Sequence, residues 1–169
     1  WKEKDGYWAL KRVSAQTAEG SHALRIEFKG RENLAFHHLY QIFTVDPREK
    51  YRLTYAWKSR GITTDQGPFV EVYGYDKEGL YRAGPMITGT HGWHEASIAF
   101  EAPADSRAAV VRLRRRTSMR FDAKIRGTLW IDDFRLEKIE TDAPTTTARR
   151  TLSSYRRSPA SSNPFQATR

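Results

Sequence analysis

The sequence contains no cysteine, and this absence removes several kinds of chemistry at once. Disulfide frameworks, zinc sites built on thiolates and cysteine nucleophiles are all excluded in a chain without thiols. The chain also lacks a run of about 18 apolar residues, the length that a helix needs to cross a bilayer. The redox compartment stays open, because a protein without thiols suits oxidising and reducing surroundings equally well.

Helical periodicity is scarce as well, whereas the signal for strands is strong. Apolar and polar residues alternate in seven runs, and turn residues such as Asp-Pro and Gly-Pro separate them. The seven runs are residues 23–28, 36–45, 51–58, 69–75, 95–100, 109–116 and 128–138. Seven strands with polar turns predict an all-β protein, an antiparallel sandwich or barrel rather than a parallel sheet with helices.

Composition changes sharply near Glu140, which divides the chain into two parts. Residues 1–140 hold the strand pattern and are long enough for one domain with a hydrophobic core. Residues 141–169 are dominated by Thr, Ser, Pro, Ala and Arg and form no apolar face, so we predict a disordered tail. This tail has five arginines against one aspartate and carries four of the nine net positive charges.

Four motifs follow one another along residues 1–140. The first is residues 20–26 (GSHALRI), and the second is residues 51–58 (YRLTYAWK). The third joins Gly89-Thr90 and Trp93 to residues 98–100 (IAF), and the fourth is residues 127–136 (GTLWIDDFRL). In this order they resemble the jelly-roll carbohydrate-binding modules, which have the galactose-binding-like fold and include the xylan- and β-glucan-binding type.

The resemblance implies a fold, a ligand, a metal and a cellular location. It implies a two-sheet antiparallel β-sandwich with a concave face that binds sugar, often a structural Ca²⁺, and an extracellular, periplasmic or cell-envelope location. Trp1 stands where the first Trp of these modules would be, so we expect the opening strand to be cut off. The chain also begins without Met or a signal-peptide pattern, so we expect a piece of a longer protein with covalently attached neighbouring domains.

An acidic pair interrupts the last predicted strand and is the candidate metal site. Asp132 and Asp133 are adjacent in an otherwise apolar run, where two carboxylates repel each other and lose hydration. A hard cation such as Ca²⁺ would compensate them with an all-oxygen shell. The resemblance adds ligands from the loop before the second strand, at the start of the first motif, here Gly20 and His22. The alternative is that one Asp caps a turn or pairs with a nearby arginine, Arg126 or Arg135.

Strand parity also changes at this acidic pair. In a regular strand Phe134 and Leu136 would point to one face, and the apolar Ile131 would point to the other. A β-bulge at the two aspartates would bring all three side chains to one face. We therefore predict a bulge in the last strand.

Alternation in three other predicted strands places on one face the types of residue that sugar recognition uses. Pyranose rings pack on aromatic side chains, and their hydroxyls bond to planar polar groups. If these strands are neighbours in one sheet, the face away from the core collects both kinds of group: Lys58, Glu71, Tyr73, Tyr75, Arg112 and Arg114. The alternative is a solvated face with cross-strand pairs between Glu and Arg, each contributing about 0.2–1 kcal/mol.

These observations predict a non-catalytic module that docks a larger protein onto a polysaccharide or a cell-envelope glycan. One alternative is a structural or interaction sandwich without an active sugar site. Another is a binder of polyanions, either an acidic glycan or nucleic acid, that uses the basic run at residues 112–116. Nucleic acid is disfavoured, because residues 1–140 also carry 19 acids and show no RNA-recognition motif. An enzyme is not expected, since the nucleophile elbow, phosphate-binding glycine and H-E-x-x-H patterns are missing.

Overall fold

The computed structural model describes residues 6–14, 17–121 and 123–140, and this part of the chain folds into nine β-strands. Trp1 and the predicted disordered tail, residues 141–169, lie outside the described residues. None of the described residues belongs to a helix that could span a membrane. The strands are β1 (Trp8–Val13), β2 (Ala23–Lys29), β3 (Phe36–Thr44), β4 (Lys50–Ile62), β5 (Phe69–Gly74), β6 (Tyr81–Ala83), β7 (Gly89–Glu101), β8 (Ala108–Arg115) and β9 (Arg126–Lys138).

All seven predicted strands are present, and β1 and β6 are additional. β4, β7 and β9 each extend to 13 residues, which is longer than the runs predicted for them. β1 precedes the first motif and pairs with β2 from Trp8 opposite Phe28 to Val13 opposite Ala23. The expectation that an opening strand is cut off stays a prediction. Trp8 is the first buried aromatic side chain among the described residues.

The strands form two antiparallel sheets, as the sequence predicts. One sheet has five strands in the order β1-β2-β9-β4-β7, and the other has four in the order β3-β8-β5-β6. Most neighbours within a sheet are distant in sequence, so the chain crosses repeatedly between the layers. This arrangement is a jelly-roll β-sandwich.

The core lies between the two sheets and follows the predicted alternation. From the five-stranded sheet it takes Ile26, Leu53 and Tyr55, and from the four-stranded sheet it takes Val70 and Val72, all of them buried. Burying one such apolar side chain contributes about 1.5–3 kcal/mol. The burial of alternate residues confirms the predicted alternation between core-facing and outward-facing side chains in β4 and β5.

The predicted bulge in the last strand is also present. Thr54 of β4 lies opposite Arg135, but Ala56 lies opposite Asp132, so β9 has one additional residue between these pairs. Asp133 takes a left-handed backbone conformation with φ of 52° at this point. The bulge turns the ring of Phe134 toward the core, where it stacks on Tyr55 with ring centroids 5.5 Å apart.

Candidate functional site

The outer face of the four-stranded sheet gathers charged and aromatic side chains from all four strands. Glu71 of β5 lies opposite Arg112 of β8, which in turn lies opposite Tyr40 of β3. In the adjacent row Tyr73 of β5 lies opposite Tyr81 of β6. Directly paired residues in an antiparallel sheet point to the same side, so these side chains share one surface.

Glu71 is fully buried at the centre of this surface, although it points away from the core. Its Oε1 accepts a hydrogen bond from Arg112 Nε at 2.7 Å and a longer one from Arg114 Nη1 at 3.4 Å. A second nitrogen of Arg112 also contacts it, and its Oε2 accepts from the Tyr81 hydroxyl at 3.1 Å. A buried carboxylate needs such partners, because an uncompensated charge away from water is costly.

Tyr81 links this carboxylate to a further arginine. Arg116 donates to the Tyr81 hydroxyl at 2.7 Å, while the same hydroxyl donates to Glu71. Partial burial raises the pKa of Tyr81, and the charge of Glu71 and the hydrogen bond to it raise this pKa further. The phenol is therefore neutral near pH 7 and holds its hydrogen bond. We call the set Glu71, Tyr81, Arg112, Arg114 and Arg116 the Glu71 network.

Two arginines of the Glu71 network lie over aromatic rings. The guanidinium carbon of Arg112 is 4.5 Å from the centroid of Tyr73, and that of Arg116 is 5.4 Å from the centroid of Phe69. Cation–π contacts of this kind orient the guanidinium groups and add to stability. They also cover one side of Tyr73, so the more exposed phenol rings near this face belong to Tyr40, Tyr75 and Tyr81.

The structure brings most of the predicted site residues together. Glu71, Tyr73, Arg112 and Arg114 share the outer face, and Tyr75 follows directly after the end of β5. Glu71 has no exposed surface, so it positions its neighbours and cannot itself touch a large ligand.

The expectation that Lys58 shares a face with the other predicted site residues is wrong. Its strand, β4, pairs with β7 and β9 in the five-stranded sheet, so Lys58 lies on the opposite side of the sandwich. There its ammonium group is 5.4 Å from the ring centroid of Trp130, and Arg25 and Arg60 approach the same ring. Lys58 points away from the core, as alternation predicts, but alternation does not reveal which sheet a strand joins.

Sequence reasoning missed two tyrosines of this face. Tyr81 lies in β6, a strand of only three residues that is too short to show alternation. Tyr40 lies after a register shift in β3 between Phe36 and Leu39, which interrupts the period. In the sequence, only their residue type, tyrosine, indicated that they could contact a sugar.

The loop before β2 approaches Asp132, as the metal-site prediction requires. Oδ2 of Asp132 accepts hydrogen bonds from the backbone N–H groups of Ala18 at 2.9 Å and Glu19 at 3.4 Å. Its Oδ1 accepts from the N–H of Asp133 at 2.8 Å. Asp132 therefore ties the loop to the bulge in β9.

The other candidate metal ligands have different partners. Arg135 pairs with Asp133, donating from Nε at 2.9 Å, and also with Glu19. The carbonyl of Gly20 accepts from Thr17 at 3.4 Å, and His22 contacts Arg12 and Ser21. Within the described ranges no three His, Asp or Glu side chains are grouped so that they could hold a metal ion. The positive charge near the aspartates thus comes from Arg135, and Ca²⁺ stays a prediction.

Comparison with known proteins places the fold. No protein-family model matches the sequence. A search of curated proteins also returns no significant match. Among solved structures, a family 4 carbohydrate-binding module is 10% identical with a TM-score of 0.51, over 80% of this chain and 81% of that chain.

Two further solved structures contain enzymes. The Stig cyclase FisC of Fischerella sp. TAU is 15% identical with a TM-score of 0.54, covering 82% of this chain and 80% of that one. The enzymatically active domain of tailspike protein 4 of bacteriophage CBA120 is 12% identical with a TM-score of 0.54, over 79% of this chain. The chain spans only 20% of that tailspike chain. Identities this low establish the fold alone: the chain has the jelly-roll β-sandwich fold of carbohydrate-binding modules, which these enzymes also contain.

Proposed function

We propose that the chain is a non-catalytic carbohydrate-binding module that docks a larger protein onto a polysaccharide or a cell-envelope glycan. The observation that carries the proposal is the Glu71 network, which holds guanidinium groups and phenols on one sheet face. The regular strands and the buried carboxylate of Glu71 limit the motion of these groups. A surface that is already ordered loses less entropy when it binds a ligand. An extracellular, periplasmic or cell-envelope location belongs to the same proposal.

The geometry suits a short stretch of an extended saccharide. Tyr40 and Tyr81 lie on the outer strands of the four-stranded sheet, β3 and β6, which are three interstrand spacings or roughly 14 Å apart. Both residues are exposed, by 61% and 45%, so each can pack against the CH-rich face of a sugar ring. Between them Arg114 keeps 37% of its side chain exposed and supplies N–H donors for hydroxyl groups.

The same face supports binding rather than catalysis. Glycoside hydrolysis uses two carboxylic acids placed on either side of the scissile bond. Among the described residues of β5, β6 and β8, the outer face offers one carboxylate, Glu71, which is buried and held by arginines. A buried and ion-paired carboxylate has no access to a glycosidic oxygen.

Affinity electrophoresis through gels containing β-glucan, xylan, galactan or uronic-acid polymers tests the proposal. We expect at least one polymer to retard the protein, and we expect Tyr40→Ala or Tyr81→Ala to weaken this binding about tenfold, or about 1.4 kcal/mol for one lost aromatic contact.

Phe121→Ala is the matched control, because Phe121 is a fully exposed aromatic in the segment between β8 and β9. It should leave the retardation unchanged. If both tyrosine variants bind as tightly as the parent protein, the proposed face is wrong, and if no polymer retards the parent protein, the proposed function is wrong.

A further inference from the structure

We infer that the saccharide recognised by the Glu71 network is anionic and carries carboxylate or sulfate groups. This inference rests on the proposed function and names the class of its ligand. It starts from the charges of the outer face, where the single carboxylate of Glu71 lies among the three guanidinium groups of Arg112, Arg114 and Arg116. One negative charge against three positive charges leaves this face with a net positive charge.

The hydrogen bonds show which of the three arginines is already satisfied. Arg112 contacts Glu71 through two nitrogens, and only 19% of its side chain is exposed. Arg114 reaches Glu71 only at 3.4 Å through one nitrogen and keeps 37% exposure. In the part of the chain that the structure describes, Arg116 forms no ion pair, and its one hydrogen bond goes to the neutral phenol of Tyr81. Arg114 and Arg116 are therefore the cations with charge available to a ligand.

The free donors match an anionic group better than a neutral one. A guanidinium presents five N–H donors in a fork that fits carboxylate and sulfate oxygens in pairs. A sugar hydroxyl takes one such donor and supplies no opposite charge. The ring of Tyr81 lies next to these donors, because its hydroxyl accepts from Arg116, so a ring contact and an ionic contact can form on one monosaccharide.

A second basic surface on the molecule provides an internal control. On the outer face of the five-stranded sheet Arg25, Lys58 and Arg60 surround the ring of Trp130. Arg60 is exposed, and it forms no ion pair within the described ranges. Replacing it removes the same charge as replacing Arg116 but leaves the Glu71 network intact.

The test compares one polymer in charged and uncharged form. Polygalacturonate is compared with its methyl ester, and heparin with its desulfated, N-acetylated and carboxyl-reduced form, by affinity electrophoresis at fixed ionic strength. We expect the charged form of at least one pair to bind the parent protein at least tenfold more tightly. Arg116→Gln and Arg114→Gln should each lower that preference about tenfold, as expected for the loss of a charge-assisted contact. Arg60→Gln should leave it unchanged, and equal melting temperatures would show that all variants fold.

Three outcomes overturn the inference. Equal binding of both forms, with no effect of Arg116→Gln or Arg114→Gln, overturns it and leaves the proposed function standing. An equal loss with Arg60→Gln overturns it as well, because the attraction is then diffuse. If no saccharide is retained, and a single-stranded oligonucleotide is retained only at low salt, the proposed function fails together with the inference.

Discussion

Neighbouring residues in the basic run at residues 112–116, at the end of β8, have opposite roles. Arg114 and Arg116 reach the outer face, whereas Arg115 points inward with only 1% of its surface exposed. Arg115 donates to the carbonyl groups of Gln66 and Ala123, each at 3.0 Å, and burial lowers its pKa. A run of five residues that reads as one basic stripe therefore divides into structural and surface charges.

The clearest prediction at the residue scale concerns Glu71. Glu71→Gln keeps the shape of the side chain but removes the charge that faces Arg112 and Arg114. Because breaking a buried ion pair leaves its partner uncompensated, we expect the free energy of unfolding to fall by about 3 kcal/mol. Urea denaturation measures this change, and saccharide binding should weaken in the same variant.

The control is Glu101→Gln, which removes the same charge from an exposed residue of β7. A change of less than about 0.5 kcal/mol is expected there. If Glu71→Gln were as stable as Glu101→Gln, the ion pairs of Glu71 with Arg112 and Arg114 would not stabilise the fold.

At the scale of elements, the segment after β6 packs closely against β4. The backbone N–H of Gly84 donates to Val70 at 2.8 Å, which holds this segment beside β5. A Cβ atom at Gly84 would lie 2.2 Å from the hydroxyl of Tyr55, so only glycine fits. That hydroxyl is buried without a hydrogen-bond partner among the described residues, and burial raises the pKa of Tyr55.

This contact predicts that two substitutions are coupled. Gly84→Ala should lower stability by about 1–3 kcal/mol, because the new methyl group overlaps the hydroxyl of Tyr55. Tyr55→Phe removes the overlapping oxygen and leaves the rest of the ring 3.4 Å from the methyl group. Gly84→Ala should therefore cost less in the Tyr55→Phe background than in the parent protein.

A double-mutant cycle in urea measures this coupling. Tyr55→Phe alone should change stability little, since it removes a buried polar group that has no partner in the described part of the chain. Strict additivity of the two changes would show that the hydroxyl is not the obstacle to Gly84→Ala.

For the whole molecule, positive charge is spread over both outer faces of the sandwich. The Glu71 network occupies the four-stranded side, and three cations surround Trp130 on the five-stranded side. Four of the nine net charges belong to residues 141–169, outside the described part. The total charge thus says little about the ligand, because it does not show how the arginines and tyrosines are arranged on each face.

The predicted Ca²⁺ site is tested on the whole molecule, through its thermal stability. An ion bound only by the folded state raises the melting temperature by mass action, so adding EDTA should lower it and excess Ca²⁺ should restore it. Asp132→Asn should abolish this response if the carboxylate is a ligand. An unchanged melting temperature with and without chelator would rule out a calcium site, and Arg135 alone would then compensate the acidic pair.

The sequence predicts the strands well and the site in part. Alternation located seven strands and the inward parity of Val70, Val72 and Leu113, and the parity change at Ile131 revealed the bulge. It did not reveal β6, because three residues are too few to show a period.

The sequence by itself determined the all-β class, seven of the nine described strands and, where the alternation is regular, which side chains share a face. These properties are local, since successive side chains of a strand point to opposite faces. Only the tertiary structure decided that Lys58 belongs to the other sheet, that Glu71 is buried on an outer face, and that Tyr81 completes its contacts. Those outcomes depend on which distant strands form hydrogen bonds with each other, and alternation within a single strand carries no information about its partners.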